Sequence, residues 1–482
     1  MTKAAKVYDY DTVQLPLIGS LNNRAASSAK DQIFYNGVFD TYKSPVADKL
    51  AGVAFQKRGA FIANTTIFGA GGAGRGIYFW SKTGKYYAVI ATKLYSITTG
   101  GTVTELATLT TSTGKVWFEE TTGTSDLLFI CDGTKSYTMT SSDVPTEVTD
   151  AQFPAGAVTP VSMNGYVFVV KSGTSELYNS NVDDPTNWTA NDFTDAQMYP
   201  DRLTAIAKQA SYIVAFGEYS TEFFYDNENA SGSPLRRTDT VAAKIGIAAR
   251  NSLAQVDKRL IFIGQTKAGD PGVWIFNGLT PELASDEYID RILMNEGSSL
   301  SSATGWITKH KGHMLYIVGL TSRTLVYDMD QKMWVGDWSI TNAGAHAVLP
   351  FSYAAEGANN QTMALHNTDG KMYKLDPTLF QDTAGSILCW ITTQKYDLGN
   401  TRWTRCLRVE LLADKQSAGT VTLEFSDDDY QTWSTARTLD LTVRPYTKAL
   451  GVFRRRAFRI KHTTNADFRI DKLEMDYNEG VS

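Results

Sequence analysis

The stretch YIVAFGEYSTEFFYD at residues 212–226 decides the fold class, because it is typical of two strands joined by a tight turn. β-Branched and aromatic residues fill both ends of the stretch, and the four residues Gly217–Ser220 between them suit a hairpin. Further apolar runs follow at 260–264 and 273–276, and the second run ends in the turn pair Asn277-Gly278. This part of the chain therefore predicts successive antiparallel strands.

Short apolar runs separated by turns recur from residue 51 to residue 385, and no amphipathic helix is predicted among them. Three of these runs are Leu127–Cys131, Met163–Val170 and Thr324–Asp328. Repeats of about 40 to 50 residues are typical of propeller blades, and this span accommodates six or seven of them. We predict an all-β protein with a β-propeller of six blades and long loops. Radial repetition shelters strand edges and explains a long chain without helices.

The two ends of the chain differ from this repeating part. Residues 386–482 show a sharper alternation with charged residues on one side, which predicts a small C-terminal antiparallel β domain. Residues 1–50 are polar and irregular, and we expect an extended N-terminal arm. This arm is either mobile or ordered by packing on the body or on a neighbouring subunit. The predicted domains are therefore the arm 1–50, the propeller body 51–385 and the C-terminal domain 386–482.

Composition restricts the classes of protein. A net charge of −5 over 482 residues gives no reason to expect a general nucleic-acid binder. Cys131, Cys389 and Cys406 form neither a disulfide framework nor a metal-binding pattern, so we predict buried free thiols. No apolar run approaches the roughly 20 residues of a membrane span, and no apolar region follows the first lysines as in a signal peptide. We expect a protein that folds in a reducing cytoplasm.

One motif near the C-terminus resembles the Asp-box hairpin turn. The segment SDDDYQTW at 426–433 matches Ser-x-Asp-x-Gly-x-Thr-Trp, with Tyr430 at the glycine position. In such a turn a carboxylate accepts hydrogen bonds from turn amides and the tryptophan packs beneath. The box occurs in sialidases, but a single degenerate copy outside the propeller favours a structural turn over catalysis. The residues that form this structural turn are Ser426, Asp428, Thr432 and Trp433.

Acidic and histidine pairs provide weaker candidates for chemistry. Glycosidases need two carboxylates about 5 to 10 Å apart. The acidic pairs lie in turn-like sequence, where such residues are expected for conformational reasons; they are Asp183-Asp184, Asp226 with Glu228, and Asp286-Glu287. His310 and His313 lack a companion ligand, and we interpret them as surface residues. We predict no catalytic, cofactor-binding or metal-binding residue and no cofactor.

Arg454, Arg455 and Arg456 form the strongest local charge cluster. We interpret them as a candidate protein interface. Contact with DNA phosphates and a solvated edge strand protected by its cations are the alternatives.

The order of these features resembles the tail hub, or nozzle, proteins of short-tailed bacteriophages, a group often described as packaged-DNA stabilisation proteins. The matching segments cover much of 160–340 and the C-terminal region. They are GTSEL at 173–177 with the downstream Asp183-Asp184-Pro185, IVAFGEYSTEFFYD at 213–226, KIGIA at 244–248, VWIFNG at 273–278, LVYD at 325–328 and SDDDYQTW at 426–433.

This resemblance implies a non-enzymatic structural protein of the virion tail that is assembled in the host cytoplasm. Six copies would form a ring below the portal and its adaptor, and the ring would extend the DNA channel and retain packaged DNA. The implied partners are further copies of the chain, the head-to-tail adaptor protein, tail needle or tail fibre proteins, and the DNA that passes through the channel.

Two alternatives come from other classes. A carbohydrate-active propeller, either sialidase-like or a depolymerase of a phage tail, requires several Asp boxes and convergent carboxylate or arginine groups in a central pocket. A sugar-binding propeller requires aromatic platforms on one face. The candidate platforms are Trp188, Trp274, Trp334 and Trp338, although core packing is the commoner use of tryptophan.

Overall fold

The computed structural model describes residues 10–18, 32–43, 50–124, 126–229, 231–340, 346–399 and 402–480. The chain forms two compact units. The larger unit comprises residues 62–324 and 348–375, and the smaller unit comprises residues up to 61, 325–347 and the segment from 376 onward.

Six small antiparallel sheets follow one another in a ring in the larger unit. Sheet 1 contains Gly74–Trp80, Lys85–Ile90, Lys93–Thr98 and Val103–Thr108. Sheet 2 contains Trp117–Glu120, Leu128–Cys131, Ser136–Met139 and Pro145–Glu147. Sheet 3 contains Ala157–Met163, Tyr166–Lys171, Glu176–Asn181 and Asp184–Asp195. Sheet 4 contains Leu203–Gln209, Tyr212–Gly217, Thr221–Asp226 and Leu235–Ala243. Sheet 5 contains Gly246–Ile247, Ala254–Val256, Arg259–Gln265, Pro271–Asn277 and Thr280–Leu283.

Sheet 6 closes the ring with strands from both ends of the propeller sequence. Its strands Phe351–Glu356, Thr362–His366 and Lys371–Asp376 are followed in space by Ala60–Thr66, which comes from the start of this sequence. A hairpin of Thr304–His310 and His313–Gly319 lies between sheets 5 and 6. The predicted all-β propeller is therefore confirmed, and the six separate sheets match the favoured blade count.

Apolar side chains fill the spaces between neighbouring sheets. Tyr87 and Val89 of sheet 1 pack with Leu128 and Ile130 of sheet 2 in one buried cluster. Equivalent clusters join sheets 2 and 3, 3 and 4, 4 and 5, and 6 and 1. Each fully buried side chain of this kind contributes about 1.5 to 3 kcal/mol, so the successive interfaces hold the ring together.

The hairpin of sheet 4 forms where the sequence predicts it. Tyr212–Gly217 pairs with Thr221–Asp226 in antiparallel register. Asp201 stabilises the turn, because its carboxylate accepts hydrogen bonds from the backbone N–H of Tyr219 at 2.8 Å and from the hydroxyl of Ser220 at 2.9 Å. The predicted buried thiols are also confirmed, since all three cysteines are buried and none of them forms a disulfide.

The prediction that residues 51–385 contain no amphipathic helix was wrong. Residues Glu287–Glu296 form an α-helix, and Asp286 caps it by accepting from the backbone N–H groups of Tyr288 and Ile289. Ile289, Ile292 and Leu293 are its buried residues, with the spacing of one helix face. Short 3₁₀ turns occupy Arg250–Ser252, Gly297–Ser302 and Ala358–Asn360. In the described part of the chain, no helix is long and apolar enough to cross a membrane.

Two larger sheets form the smaller unit. The first has the order Gly37–Lys43, Leu50–Lys57, Arg469–Glu479, Thr404–Ala413 and Tyr446–Lys448, with Asp11–Pro16 paired to Arg469–Glu479 and Val452–Phe453 paired to Thr404–Ala413. The second includes Thr324–Asp328, Met333–Asp337, Ile33–Tyr35, Cys389–Thr392, Ala457–His462, Thr420–Ser426 and Arg437–Asp440. A short pair joins Gln381–Asp382 to Gly385–Ser386. Phe34 of the second sheet packs against Phe39 and Phe55 of the first, with ring centroids 4.7 and 5.5 Å apart.

The smaller unit takes strands from all three predicted segments. The described parts of the predicted arm, 10–18 and 32–43, contain strands of these two sheets, and Asp11–Pro16 pairs in register with Lys472–Tyr477. Packing on the rest of the chain was one of the two expectations for the arm. The proposed boundaries at 50 and 385 stay a prediction.

Candidate functional site at the centre of the propeller

The first strands of sheets 2, 3 and 4 line an open cavity of about 300 Å³ on the inner side of the ring. Sheet 2 contributes Trp117–Glu119 with the preceding Lys115, sheet 3 contributes Thr159–Val161, and sheet 4 contributes Ile206–Lys208. Arg250 and the strand that follows it in sheet 5 complete the lining. The repeated architecture therefore gathers side chains that are far apart in sequence around one space.

A second, smaller cavity of about 180 Å³ shares Lys115 with the first. Its other walls come from sheet 1, from Trp306 of the hairpin and from Tyr353 of sheet 6. The ammonium of Lys115 lies 5.5 Å from the centroid of the Tyr353 ring, which is within the range of a cation–π interaction. Lys115, Trp117 and Phe118 therefore line both cavities.

Arg75 fixes the segment that leads into Lys115. This buried arginine donates from Nε to the carbonyl of Gly114 at 2.8 Å and from Nη2 to the carbonyl of Thr113 at 2.8 Å. Its Nη1 donates to the carbonyls of Ala91 and Thr111. A guanidinium that is bonded through all three nitrogens anchors this loop to sheet 1. The backbone before Lys115 is therefore held in one position.

Three cationic side chains and one carboxylate line the larger cavity. The Nζ of Lys208 donates to the carbonyl of Ser162 at 3.2 Å, and Oε1 of Glu119 accepts from the N–H of the same residue at 2.8 Å. Burial raises the pKa of Glu119 from 4.5 to about 7. Burial also lowers the pKa of Lys115 from 10.5 to about 8 and lowers that of Arg250. Burial therefore disfavours the charged forms of Glu119, Lys115 and Arg250.

Two of the cations have no carboxylate partner among the described residues. Lys115 makes its ring contact with Tyr353 and no ion pair, and Nε of Arg250 is shielded from solvent without a hydrogen-bond partner. The excess of positive charge in a sheltered space suits an anion and offers no set of metal ligands. The described residues contain no group of three or more His, Cys, Asp or Glu side chains that is arranged to hold a metal ion.

Sequence reasoning did not identify these central residues. Lys115, Lys208 and Arg250 are single basic residues with no shared motif, and 93 and 42 positions separate them in order. What these residues share is that each lies in or near the first strand of its sheet. This shared position becomes visible once the order of strands within each sheet is known.

The Asp-box-like segment forms a hydrogen-bonded turn in the smaller unit. Oδ1 of Asp428 accepts from the hydroxyl of Ser426 at 2.8 Å and from the N–H of Thr432 at 2.9 Å, and the Thr432 hydroxyl bonds to Oδ2. These bonds, those of Thr432 first, lower the pKa of Asp428 to about 2. Trp433 packs against the guanidinium of Arg459, whose Cζ lies 4.1 Å from the ring centroid. The structure thus places all four predicted residues around one turn.

The three arginines at 454–456 do not share one surface. Arg456 is buried and forms a bidentate ion pair with Asp427, with both N–O distances at 2.7 Å. Its guanidinium also lies over the rings of Phe425 and Phe453. Arg454 and Arg455 are exposed, and Arg454 lies over Trp403 at 4.9 Å. Of the candidate interface, only Arg454 and Arg455 are therefore accessible.

The acidic pairs act locally in turns and caps. Asp184 accepts from the N–H of Thr186 at 3.0 Å, Asp226 accepts from the N–H of Glu228 at 2.9 Å, and Asp286 caps the helix. These bonds stabilise backbone turns. The surface interpretation of the histidines was wrong, because His310 and His313 face each other in the hairpin of the ring and are both buried.

The candidate sugar platforms are largely inside the protein. Trp188 and Trp338 are buried, and their indole N–H groups donate to the carbonyls of Pro185 and Gly37. Trp274 and Trp334 are partly buried within their units. Core packing therefore accounts for the first two tryptophans.

Six sheets in a closing ring make this chain a β-propeller protein with additional C-terminal sheets. Residues 51–380 match the family described as bacteriophage P22 Gp10, beta-propeller, and the chain belongs to this family. The family consists of structural phage proteins, so the chain is a structural component of a phage virion. The match confirms the resemblance to tail hub proteins that the sequence shows.

No curated protein matches the chain. Solved propeller structures do match, at low identity. Streptogramin B lyase has 12% identity and a TM-score of 0.42 over 66% of this chain and 97% of its own. The Neurospora crassa Pan2 WD40 domain has 11% identity and a TM-score of 0.41 over 63% and 88%. The N-terminal domain of Nup159 has 8% identity and a TM-score of 0.38 over 70% and 95%.

Proposed function

We propose that this chain is the tail hub, or nozzle, subunit of a short-tailed phage. Six copies assemble in the host cytoplasm into a ring below the portal and its adaptor. The ring extends the DNA channel, retains the packaged genome and provides a docking surface for the tail needle or fibres. The observation that carries the proposal is the family match across the propeller, residues 51–380. The role is structural and involves no catalysis.

The charge distribution supports a wall along which DNA passes without adhering. The chain carries a net charge of −5. Several of its arginines are neutralised inside the protein, as in the pairs of Arg58 with Asp382 and of Arg456 with Asp427. Arg408 is similarly surrounded by Glu410, Glu474 and Asp476. Cations that are paired in this way are not available to hold phosphates, so non-specific DNA binding stays weak.

The exposed pair of Arg454 and Trp403 is the part of the surface that best suits a subunit contact. Trp403 is 52% exposed, and the guanidinium of Arg454 lies 4.9 Å from its ring. Arginine and tryptophan are enriched among the residues that dominate binding energy at interfaces. A ring of identical subunits needs two different surfaces that meet across each boundary. We assign this pair, with Arg455, to one of those surfaces.

Light scattering and negative-stain imaging of the purified chain, alone and with portal–adaptor complexes, test this function. We expect a six-fold ring on the adaptor. Trp403→Ala and Arg454→Ala are expected to weaken ring formation, whereas Lys415→Ala, at an exposed site of the same unit, leaves it unchanged. A chain that ignores the adaptor and cleaves polysaccharide contradicts the proposal and favours the carbohydrate-active alternative.

A further inference from the structure

We propose that the central cavity of the propeller binds a small phosphate-type oxyanion, either inorganic phosphate or the phosphate group of a small phosphomonoester. This inference does not depend on the tail hub function, because it uses only the residues that line the cavity.

The lining of the cavity carries more positive than negative charge. Lys115, Lys208 and Arg250 line the cavity together with a single carboxylate, that of Glu119. Glu119 and Lys208 are both bonded to the backbone of Ser162, so the carboxylate is associated with one lysine. Lys115 and Arg250 have no ion-pair partner within the part of the chain that the structure describes. Two sheltered cations without counterions favour a dianion over a neutral ligand.

The backbone segments that carry Lys115 and Arg250 are held in place by hydrogen bonds. Arg75 fixes the loop before Lys115 through its bonds to Gly114, Thr113 and neighbouring carbonyls. Arg250 begins a 3₁₀ turn, and the hydroxyl of Ser252 in this turn accepts from the N–H of Ile263 in sheet 5 at 2.9 Å. Both cations are therefore attached to backbone that does not need to reorganise. A site of this kind binds an anion without a large loss of conformational entropy.

The size and the walls of the cavity suit a small anion. A cavity of about 300 Å³ is at the small end of ligand sites and excludes a nucleic-acid duplex. Trp117, Ile206 and Leu253 give it an apolar wall beside the cations. A small anion with a modest apolar body suits both parts of the lining. Inorganic phosphate and a phosphomonoester both carry the phosphate group that the cations would bind. The titrations described next distinguish these two ligands.

Isothermal titration with inorganic phosphate, adenosine monophosphate, adenosine and acetate tests the proposal. We expect saturable binding of inorganic phosphate. Lys115→Met and Arg250→Met each reduce the affinity by at least about tenfold, because each removes one charge-assisted contact. Lys267→Met is the matched control, because Lys267 is exposed on a loop outside the cavity. The affinity of this variant for phosphate is expected to equal that of the wild type. Tighter binding of the monophosphate than of phosphate, with no binding of adenosine, identifies a phosphomonoester as the ligand.

Thermal unfolding shows whether the variants remain folded. In phosphate-free buffer, Lys115→Met is expected to melt no lower than the wild type, because it removes a partly buried cation that lacks a counterion. Added phosphate is expected to raise the melting temperature of the wild type but not of the two cavity variants. The proposal is overturned if phosphate does not bind, if acetate binds as tightly as phosphate, or if both cavity variants bind phosphate like the wild type.

Discussion

Arg58 and Asp382 form a bidentate ion pair inside the smaller unit, with Nη2 and Oδ2 2.7 Å apart and with 0% and 1% of their side chains exposed. The pair is embedded in further bonds. Nε of Arg58 donates to the side-chain oxygen of Asn36, and Nη2 donates to the carbonyl of Ser339. Oδ1 of Asp382 also accepts from the N–H of Phe61. One buried guanidinium therefore joins segments of the smaller unit that lie about 280 to 320 positions apart in the chain.

Removing the acid of this pair is expected to destabilise the protein strongly. Asp382→Asn leaves the cation of Arg58 buried and uncompensated, which costs about 3 to 5 kcal/mol. The matched control is Asp126→Asn, because Asp126 pairs with Lys82 at a similar distance but on the exposed surface. This control is expected to change the free energy of unfolding by less than about 1 kcal/mol. Denaturant unfolding of the two variants beside the wild type measures both effects, and equal losses contradict the prediction.

His462 is expected to limit stability in acid. Its imidazole is fully buried, stacks on Phe468 at 4.6 Å and has no hydrogen-bond partner at either nitrogen among the described residues. Burial, followed by the charge of Lys57, lowers the pKa of His462 from 6.5 to about 3. The folded state then binds fewer protons than the unfolded state, so stability falls as the pH drops from 6.5 towards 3. His462→Phe removes this loss. Melting temperatures at pH 7 and pH 4 are expected to differ less in the variant than in the wild type.

Glu119 is expected to give the opposite dependence. Its pKa is raised by burial from 4.5 to about 7, so the folded state holds a proton that the unfolded state releases. Stability therefore falls as the pH rises from 4.5 to 7. Glu119→Gln keeps an oxygen to accept from the N–H of Ser162 and has no proton to lose. Above pH 7 the variant is expected to be more stable than the wild type, by an amount on the order of 2 kcal/mol. A constant difference between pH 4 and pH 8 contradicts this assignment.

Asp428 is expected to stabilise its turn only when it is ionised. Hydrogen bonds from Thr432 and Ser426 lower its pKa from 3.8 to about 2. The stabilisation is fully present above pH 3.8 and is lost as the pH falls towards 2. Asp428→Asn is therefore expected to melt below the wild type at pH 7, with the gap closing in strong acid. The N–H of Thr442 donates to the carboxylate of Asp440 in a comparable exposed turn that lacks the Asp-box pattern. Asp440→Asn is therefore measured beside Asp428→Asn as a turn of ordinary type.

Local sequence patterns predicted much of the fold, because strands and turns depend on neighbouring residues. The hairpin at 212–226 and the burial of the cysteines follow from β-branched, aromatic and turn residues in short windows. The helix at Glu287–Glu296 was missed because Asp286-Glu287 was interpreted as a turn. The spacing of its buried residues carried the correct signal.

The central cavity was beyond prediction for a different reason. Lys115 and Arg250 come together because successive sheets are arranged around one axis, and no local window contains both residues. The burial of Arg456 was similarly hidden. Arg454 and Arg455 before it are exposed, and only the carboxylate of Asp427 and the rings that enclose it explain the position of Arg456. A cluster of charged residues in the sequence therefore does not show which of its side chains are exposed, because the direction of each side chain depends on the tertiary fold.

The strand Ala60–Thr66 has a consequence for synthesis on the ribosome. It is translated before the rest of the propeller, yet its partner in sheet 6, Lys371–Asp376, follows about 300 residues later. At about 5 to 20 residues per second, the nascent chain waits tens of seconds before the ring closes. During that interval an unpaired strand can join another chain, since exposed edges promote such pairing. Slower growth at low temperature, or chaperones that occupy this segment, should therefore raise the yield of closed propeller.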